Sequence, residues 1–137
     1  MHLLSISHLQ EISRDRQIRT LVSHLGPYLA SILIGQYPKG APILNIIATR
    51  SLHFDVWYDT FCQLLEDDAD IDEKDRNGWT ALHVAAHLDL TAIVSVLILN
   101  GSDITAENNE GDRPLQVSPP GPTRNYIKVK ESEMTND

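Results

Sequence analysis

The sequence predicts an all-α protein assembled from short, repeated helical units. Two observations support this prediction. Apolar residues recur at the three- and four-residue spacing of a helix through much of the chain. In addition, residues 64–84 align with residues 97–117 at an offset of 33, with six identities among the 21 positions. A fixed period of this length indicates units that bury their apolar faces against one another.

Composition and charge restrict the classes of function. The chain has 137 residues, one cysteine and a net charge of −8. A single cysteine excludes an intrachain disulfide and is typical of a reducing compartment, so the cytoplasm or the nucleus is expected. The acidic balance argues against nucleic acid as a partner, because phosphates repel it. No run of 18 apolar residues occurs, so no membrane span is expected either.

Residues 1–40 are predicted to form an N-terminal helical cap. Leu3 begins a helical pattern, Gly26-Pro27 interrupts it, and a second apolar segment ends before a turn at residues 37–40. This region carries four basic and two acidic residues, a charge of +2. The alternative to a cap over the end of the stack is an amphipathic helix that binds a partner or a membrane.

The repeats are predicted within residues 41–117, which carry four basic and fourteen acidic residues, a charge of −10. Residues 41–74 are expected to be a degenerate unit, residues 75–107 a full unit and residues 108–117 a truncated unit. In the first unit, Pro42 can open a helix, and Phe54 to Leu65 form one apolar helical face. Residues 118–137 begin with three prolines in five positions and are predicted to be a disordered tail.

The middle of the chain resembles the ankyrin-repeat family. The segment Asp75–Ala86, DRNGWTALHVAA, is similar to the family pattern D-x-x-G-x-T-P-L-H-x-A-A, and Asn100–Ile104, NGSDI, is similar to N-G-A-D-V. The resemblance implies an ankyrin-repeat solenoid, in which helix-turn-helix units carry short projecting β-hairpin loops. Ala41–Leu44 stands at the T-P-L-H position of the preceding unit, which then needs a six-residue insertion before Asp70.

Several residues of the full unit have structural reasons of their own. Thr80 can cap the helix that follows it, and His83 can hydrogen-bond back within that turn. Asp89 stands where the family usually has glycine, and aspartate tolerates a left-handed backbone better than most residues.

Catalytic and metal-binding chemistry is not expected. His83 and His87 are four residues apart, a spacing that can bind zinc, but no third ligand is evident, so neither a metal nor another cofactor is expected. Cys62 falls on an apolar helical face and is expected to be a core cysteine. A metal-dependent or thiol hydrolase would require Cys62 or His87 to be essential.

The resemblance implies that hairpin tips and the concave helix face bind another protein. The residues of this chain at the matching positions are Arg76, Asn77, Trp79, His87, Leu88, Asn109, Glu110 and Asp112. Trp79 is either an interface hot spot or a scaffold residue that packs on the neighbouring hairpin, and both interpretations stay open. The acids within Glu66–Asp75 are either solvated loop residues or a surface that steers a basic partner.

The leading hypothesis is an intracellular adaptor or scaffold that binds a protein partner, without catalysis, nucleic acid, membrane or small-molecule substrate. The alternative is a regulatory or inhibitory subunit of an enzyme or a transcription factor, of the NF-κB inhibitor type among others. The last repeats are similar to those of protein phosphatase 1 targeting subunits, although the short basic-hydrophobic docking segment usual in those proteins is not found. Residues 1–60 either complete the core or the chain is a piece of a longer protein.

Overall fold

A computed structural model describes residues 6–36, 41–50, 55–67 and 69–135. The predictions made for Leu3, for the turn at residues 37–40 and for Phe54 lie outside the described residues. The side chains of residues 6–15 lie outside them as well.

Eight helices account for the regular structure of the described residues. They are α1 (Ile6–Leu25), α2 (Pro27–Gly35), α3 (Ile43–Arg50), α4 (Asp55–Glu66), α5 (Ala81–His87), α6 (Thr91–Leu99), α7 (Pro114–Val117) and α8 (Pro122–Thr135). The all-α fold class is confirmed. Where the chain is described, none of these helices has both the length and the apolar character needed to cross a membrane.

The helices stack in the order of the chain. α3, α5 and α7 form one row of successive contacts, and α4, α6 and α8 each pack behind the helix that precedes them in the chain. At the N-terminal end, α1 packs on α4 and α2 packs on α3. The largest fully buried side chains run through every layer of the stack: Leu21, Ile43, Phe61, Leu64, Leu82, Leu97 and Ile127. One continuous core therefore extends from α1 to α8.

Two local predictions made from the sequence are confirmed. α1 ends at Leu25 and α2 begins at Pro27, as the Gly26-Pro27 pair indicated. Asp89 joins α5 to α6 with a φ of 60°, which is the left-handed conformation expected at the position where the family usually has glycine.

The first unit has a different register from the predicted one. Asn45 is the third residue of α3, as His83 is the third residue of α5. Placing Leu44 at the histidine position was therefore wrong by one residue. The 25 residues from Asn45 to Asp70, against 20 from His83 to Asp103, leave an insertion of five residues rather than six.

The contacts of the two side chains support this register. Asn45 Nδ2 donates a hydrogen bond of 3.0 Å to the carbonyl oxygen of Trp79. His83 Nε2 makes the corresponding bond, of 2.8 Å, to the carbonyl oxygen of Asp112. Trp79 and Asp112 are 33 residues apart, one repeat, so each helix holds the loop of the unit that follows it.

One buried acceptor in the first unit has no partner. Asn45 Oδ1 is buried without a hydrogen bond among the described residues. In the second unit the corresponding acceptor, His83 Nδ1, receives the backbone N–H of Thr80 at 3.2 Å. Pro42 takes the place of Thr80 in the first unit and has no N–H to donate. An unsatisfied buried acceptor costs about 1–3 kcal/mol, so the degenerate sequence weakens this unit.

The prediction of a disordered C-terminal tail was wrong for residues 122–135, which form α8. Ile127 and Thr123 are both fully buried, and Thr123 shares a hydrogen bond of 2.5 Å with Thr91 of α6. Arg113 also makes a salt bridge of 3.2 Å to Glu131. The prolines that indicated disorder delimit the turn before α8, and Pro122 is its first residue, a position that proline favours. α7 and α8 therefore make the third unit a pair of helices rather than a truncated one.

Substitutions in α8 test this correction. Replacing Ile127 with valine is expected to lower the free energy of unfolding by about 1 kcal/mol, because it removes one buried methylene group. Val129→Ala removes two methyl groups from a side chain that is 54% exposed, and we expect a loss below about 0.5 kcal/mol. Urea denaturation followed by circular dichroism measures both changes. Equal stability of the two variants and the wild type would show that α8 does not dock on the core.

Candidate functional site

Two short loops with the same internal geometry lie before α5 and before α7. Loop A is residues 75–79 and loop B is residues 108–112. The N–H of Asp75 donates to the carbonyl oxygen of Trp79 at 2.9 Å, and Asn108 makes the same bond to Asp112 at 2.9 Å. A second backbone bond closes each loop, from the N–H of Gly78 to Asp75 O at 2.9 Å and from the N–H of Gly111 to Asn108 O at 3.0 Å. In the described chain the expected β-hairpins are therefore tight turns without a strand ladder.

An acidic or amide side chain at the first position organises each loop. Asp75 Oδ1 accepts the backbone N–H groups of Asn77 and Trp79 at 2.8 and 2.9 Å. Asn108 Oδ1 accepts the equivalent N–H groups of Glu110 and Asp112 at 2.9 and 3.0 Å. These bonds fix the loop backbone, so the exposed side chains at its tip project from a fixed position.

The two loops are bonded to each other. The backbone N–H of Asn109 donates to the carbonyl oxygen of Asn77 at 3.0 Å, and its side-chain Nδ2 donates to the carbonyl oxygen of Arg76 at 2.9 Å. Lys74 Nζ adds a bond of 2.9 Å to the carbonyl oxygen of Glu107. The side chain of Asn109 is thus engaged in joining the loops, a structural role that the sequence pattern did not reveal.

Trp79 is the last residue of loop A, and its ring lies against the helical face of α5. Its ring centroid is 5.7 Å from that of His83 and 5.4 Å from that of His87, which meets it edge to face. His83 is buried, whereas His87 is exposed and its Nδ1 lies 3.1 Å from the carbonyl oxygen of Val117. Trp79 is itself only half-buried. The Trp79 ring therefore packs on the histidines of α5 and still presents surface to solvent.

His83 is a structural residue of this site. Its Nδ1 accepts the N–H of Thr80, so the ring proton lies on Nε2, which donates to Asp112 in loop B. The His83 backbone N–H donates to Thr80 Oγ1 at 3.3 Å, which confirms the predicted cap. Burial is the main cause that lowers the pKa of His83 below its usual 6.5, and the nearby Lys74 lowers it further.

Most carboxylates of the Glu66–Asp75 run are used inside the fold. Asp70 Oδ1 accepts the N–H of Asp72 at 3.0 Å, and Asp72 Oδ1 accepts the N–H of Asp103 at 2.9 Å. Asp67 accepts hydrogen bonds from α1 and α4, and Asp75 organises loop A. Asp68 lies outside the described residues. These contacts explain why the run is acidic without requiring a partner.

Other carboxylates around loop B remain available. Glu107 and Glu110 are exposed and Asp112 is half-buried. Their carboxylates make no hydrogen bond or ion pair in the described part of the chain. Acids that could contact a basic partner therefore lie at loop B as well as in the Glu66–Asp75 run, where Glu66 is exposed.

The structure brings most of the expected contact residues together. Arg76 and Asn77, at the tip of loop A, are exposed, and Asn109 joins them to loop B. Trp79 contacts His87. Leu88, 39% exposed at the end of α5, has no contact with either loop among those described. The sequence analysis did not predict the role of Asn45, whose side chain hydrogen-bonds to loop A. Aligning the first unit one residue later would have placed Asn45 at the position of His83.

Catalytic and metal chemistry gain no support from the described residues. Cys62 is half-buried in α4, and burial is the main cause that raises the pKa of its thiol, which keeps it protonated rather than nucleophilic. Where side chains are described, no group of three or more His, Cys, Asp or Glu residues is arranged to hold a metal ion.

Comparison with known proteins gives a family and two relatives. A family model for ankyrin repeats, in three copies, matches residues 31–118, more than half of the chain. Protein phosphatase 1 regulatory subunit 27 from Mus musculus and from Homo sapiens are each 40% identical over 52 residues, which is 38% of this chain. The chain spans about a third of the length of these relatives, 34% in both cases.

Proposed function

Because the chain belongs to the ankyrin-repeat family, whose repeats are a protein-interaction fold, we propose that it is a non-catalytic adaptor or scaffold. Its binding face is formed by loop A, loop B and the exposed end of α5. The observation that carries the proposal is the rigid pairing of the two loops by Asn109, which holds exposed side chains at fixed positions. Preorganised contacts of this kind lose little conformational entropy on binding.

The face combines an aromatic anchor with charges at its edge. Trp79 and His87 present a partly exposed aromatic surface, and tryptophan and arginine are enriched among residues that dominate binding energy. Arg76 lies at the tip of loop A, and Glu110 lies at the tip of loop B. We propose that the partner places an apolar side chain on the aromatic surface and a basic group near Glu110. The cytoplasm or the nucleus is the proposed location, since the single cysteine requires no oxidising compartment.

A second candidate function is regulation of a phosphatase. The observation in its favour is the 40% identity to two proteins named protein phosphatase 1 regulatory subunit 27. In that case the partner is the catalytic subunit of the phosphatase, and the chain modulates or localises its activity. Inhibition of a transcription factor, in the manner of the NF-κB inhibitors, has no specific observation in its favour.

Affinity capture with the full chain tests the binding face. The wild type, immobilised on resin, is compared with Arg76→Ala/Trp79→Ala/His87→Ala in native cell lysate, with quantification by mass spectrometry. We expect the triple variant to lose at least about tenfold of the specific partner, because hot-spot truncations cost about 2 kcal/mol or more. Leu99→Ala is the matched control, since Leu99 is an apolar side chain 76% exposed on α6, outside the face.

Two further measurements distinguish a loss of binding from unfolding and test the second candidate function. The double variant Arg76→Ala/Glu110→Ala changes only exposed side chains at the loop tips, so a loss of binding by this variant does not reflect unfolding. Circular dichroism verifies that the variant is folded. Purified protein phosphatase 1 catalytic subunit, added to the same resin, tests the second candidate directly. Equal capture by the wild type and both multiple variants would contradict the proposed face.

A further inference from the structure

A polar cavity of about 440 Å³ lies between α1 and the end of α4. Five α1 residues line one side of it, at positions that share one stripe of the helix: Arg16, Arg19, Thr20, Ser23 and His24. Gln63 and Asp67 line the other side. None of the residues in the proposed protein-binding face contributes to it. We propose that this cavity is a second binding site, specific for a phosphate monoester group.

On the α4 side of the cavity, the carboxylate oxygens have hydrogen-bond donors within the protein. Asp67 Oδ2 accepts the hydroxyl of Thr20, and Asp67 Oδ1 accepts Nε2 of Gln63 at 3.2 Å. Both carboxylate oxygens therefore have a donor, and the bond from Thr20 ties α1 to the end of α4. Asp67 holds the wall of the cavity in place.

The side chains at the mouth of the cavity include hydrogen-bond donors that have no acceptor among the described residues. Arg19, Ser23 and His24 are exposed, and their side chains make no hydrogen bond or ion pair with the described residues. A guanidinium, a hydroxyl and an imidazole thus converge on one cavity. Their common chemistry is donation to an anion.

Charge distribution favours an anion at this place. The lining contains two arginines against one aspartate, a formal charge of +1 with the imidazole neutral. Residues 1–40 carry +2, of which α1 contributes +1 through three arginines against Glu11 and Asp15, whereas residues 41–117 carry −10. An anion is therefore attracted to the arginines of α1 and repelled by loop B, which carries Glu110 and Asp112 and no basic residue.

The types of donor favour phosphate over carboxylate. A planar guanidinium can engage both oxygens of a carboxylate, and the lone pairs that remain all lie in the plane of that pair. A phosphate monoester has three terminal oxygens in a tetrahedral arrangement, so it can accept from all three donors. The cavity is open to solvent, which leaves space for the group that carries the phosphate.

Nuclear magnetic resonance titration of the full chain tests the proposal. Amide shifts are followed while inorganic phosphate, or the blocked peptide acetyl-Ala-phosphoserine-Ala-amide, is added at constant ionic strength. We expect saturable shifts at residues 16–24 and 63–67, and Arg19→Gln is expected to weaken binding by about tenfold. Lys128→Gln is the matched control, because it removes one exposed positive charge from α8 and is expected to bind as the wild type does.

The two probes distinguish the sources of the phosphate group. Tighter binding of the phosphopeptide than of inorganic phosphate identifies a phosphorylated protein segment as the ligand, and similar binding of both identifies a small phosphate ester. The unphosphorylated peptide is expected to cause no shift. Linear, non-saturating shifts, or equal weakening by Arg19→Gln and Lys128→Gln, would overturn the site and leave only non-specific attraction.

Discussion

Replacing Gly78 with alanine is expected to lower the free energy of unfolding by about 3–4 kcal/mol, among the largest effects of any single methyl group added to this chain. Two causes act together. Gly78 has a φ of 80°, a conformation that costs alanine about 1–2 kcal/mol. A Cβ at this position would also lie 2.6 Å from Asn109 Oδ1 and 2.7 Å from Asn109 N, so the loops would have to separate. Separation breaks the two hydrogen bonds of Asn109, each worth about 1 kcal/mol.

Gly111 is the matched control within the same chain. It occupies the equivalent position of loop B with a φ of 83°, but a Cβ added there would meet nothing within 4 Å. Gly111→Ala is therefore expected to cost only the backbone strain, about 1–2 kcal/mol. Urea denaturation of both variants measures the difference. Equal losses would show that contact between the loops contributes nothing to stability, and the rigid binding face would have to be reconsidered.

Removal of the His83 side chain is expected to cost about 3 kcal/mol. His83→Ala leaves a cavity in α5 and removes the partners of the Thr80 N–H and the Asp112 carbonyl oxygen. His83→Asn is expected to cost only about half as much. The reason is that Asn45 already makes the same bond to a loop carbonyl in the first unit, so asparagine fits the geometry.

The wild type and His83→Asn are also expected to differ in how their free energy of unfolding depends on pH. Burial lowers the pKa of His83 in the folded state, whereas the unfolded chain takes up a proton near pH 6.5. The unfolded state then binds more protons, so stability contributed by His83 is present above pH 6.5 and is lost as the pH falls toward the folded pKa. The advantage of the wild type over His83→Asn should therefore shrink between pH 7.5 and pH 5.

Paired urea denaturations at these two pH values measure that change, and the comparison cancels the titration of all groups that the proteins share. Leu99→Ala serves as a control, because Leu99 is 76% exposed and carries no ionisable group, so its loss should leave the pH dependence unaltered. A stability difference between the wild type and His83→Asn that is constant with pH would refute the assignment of a neutral, buried His83.

The full unit was predictable because its residues act locally. Thr80 caps α5 and Asp89 adopts a left-handed backbone through interactions within a few residues, which a sequence pattern records directly. The first unit was harder to predict from the sequence. Its register depends on Asn45 reaching Trp79, 34 residues away, and the inserted residues obscure the period. The structural roles of the acidic run were hidden for the same reason, since Asp72 accepts the N–H of Asp103, 31 residues away.

The sequence by itself determined the all-α fold, the repeat and the position of the loop tips, because periodicity, capping and turn chemistry are properties of neighbouring residues. Tertiary structure alone decided three other features: that α8 docks, that Asn109 joins the loops, and that α1 and the end of α4 line an open cavity with two arginines. Each depends on atoms that are distant in the chain and meet only when helices pack. Ile127 illustrates the difference, because it lies in a mostly polar segment that indicated no core, yet it is fully buried in the folded protein.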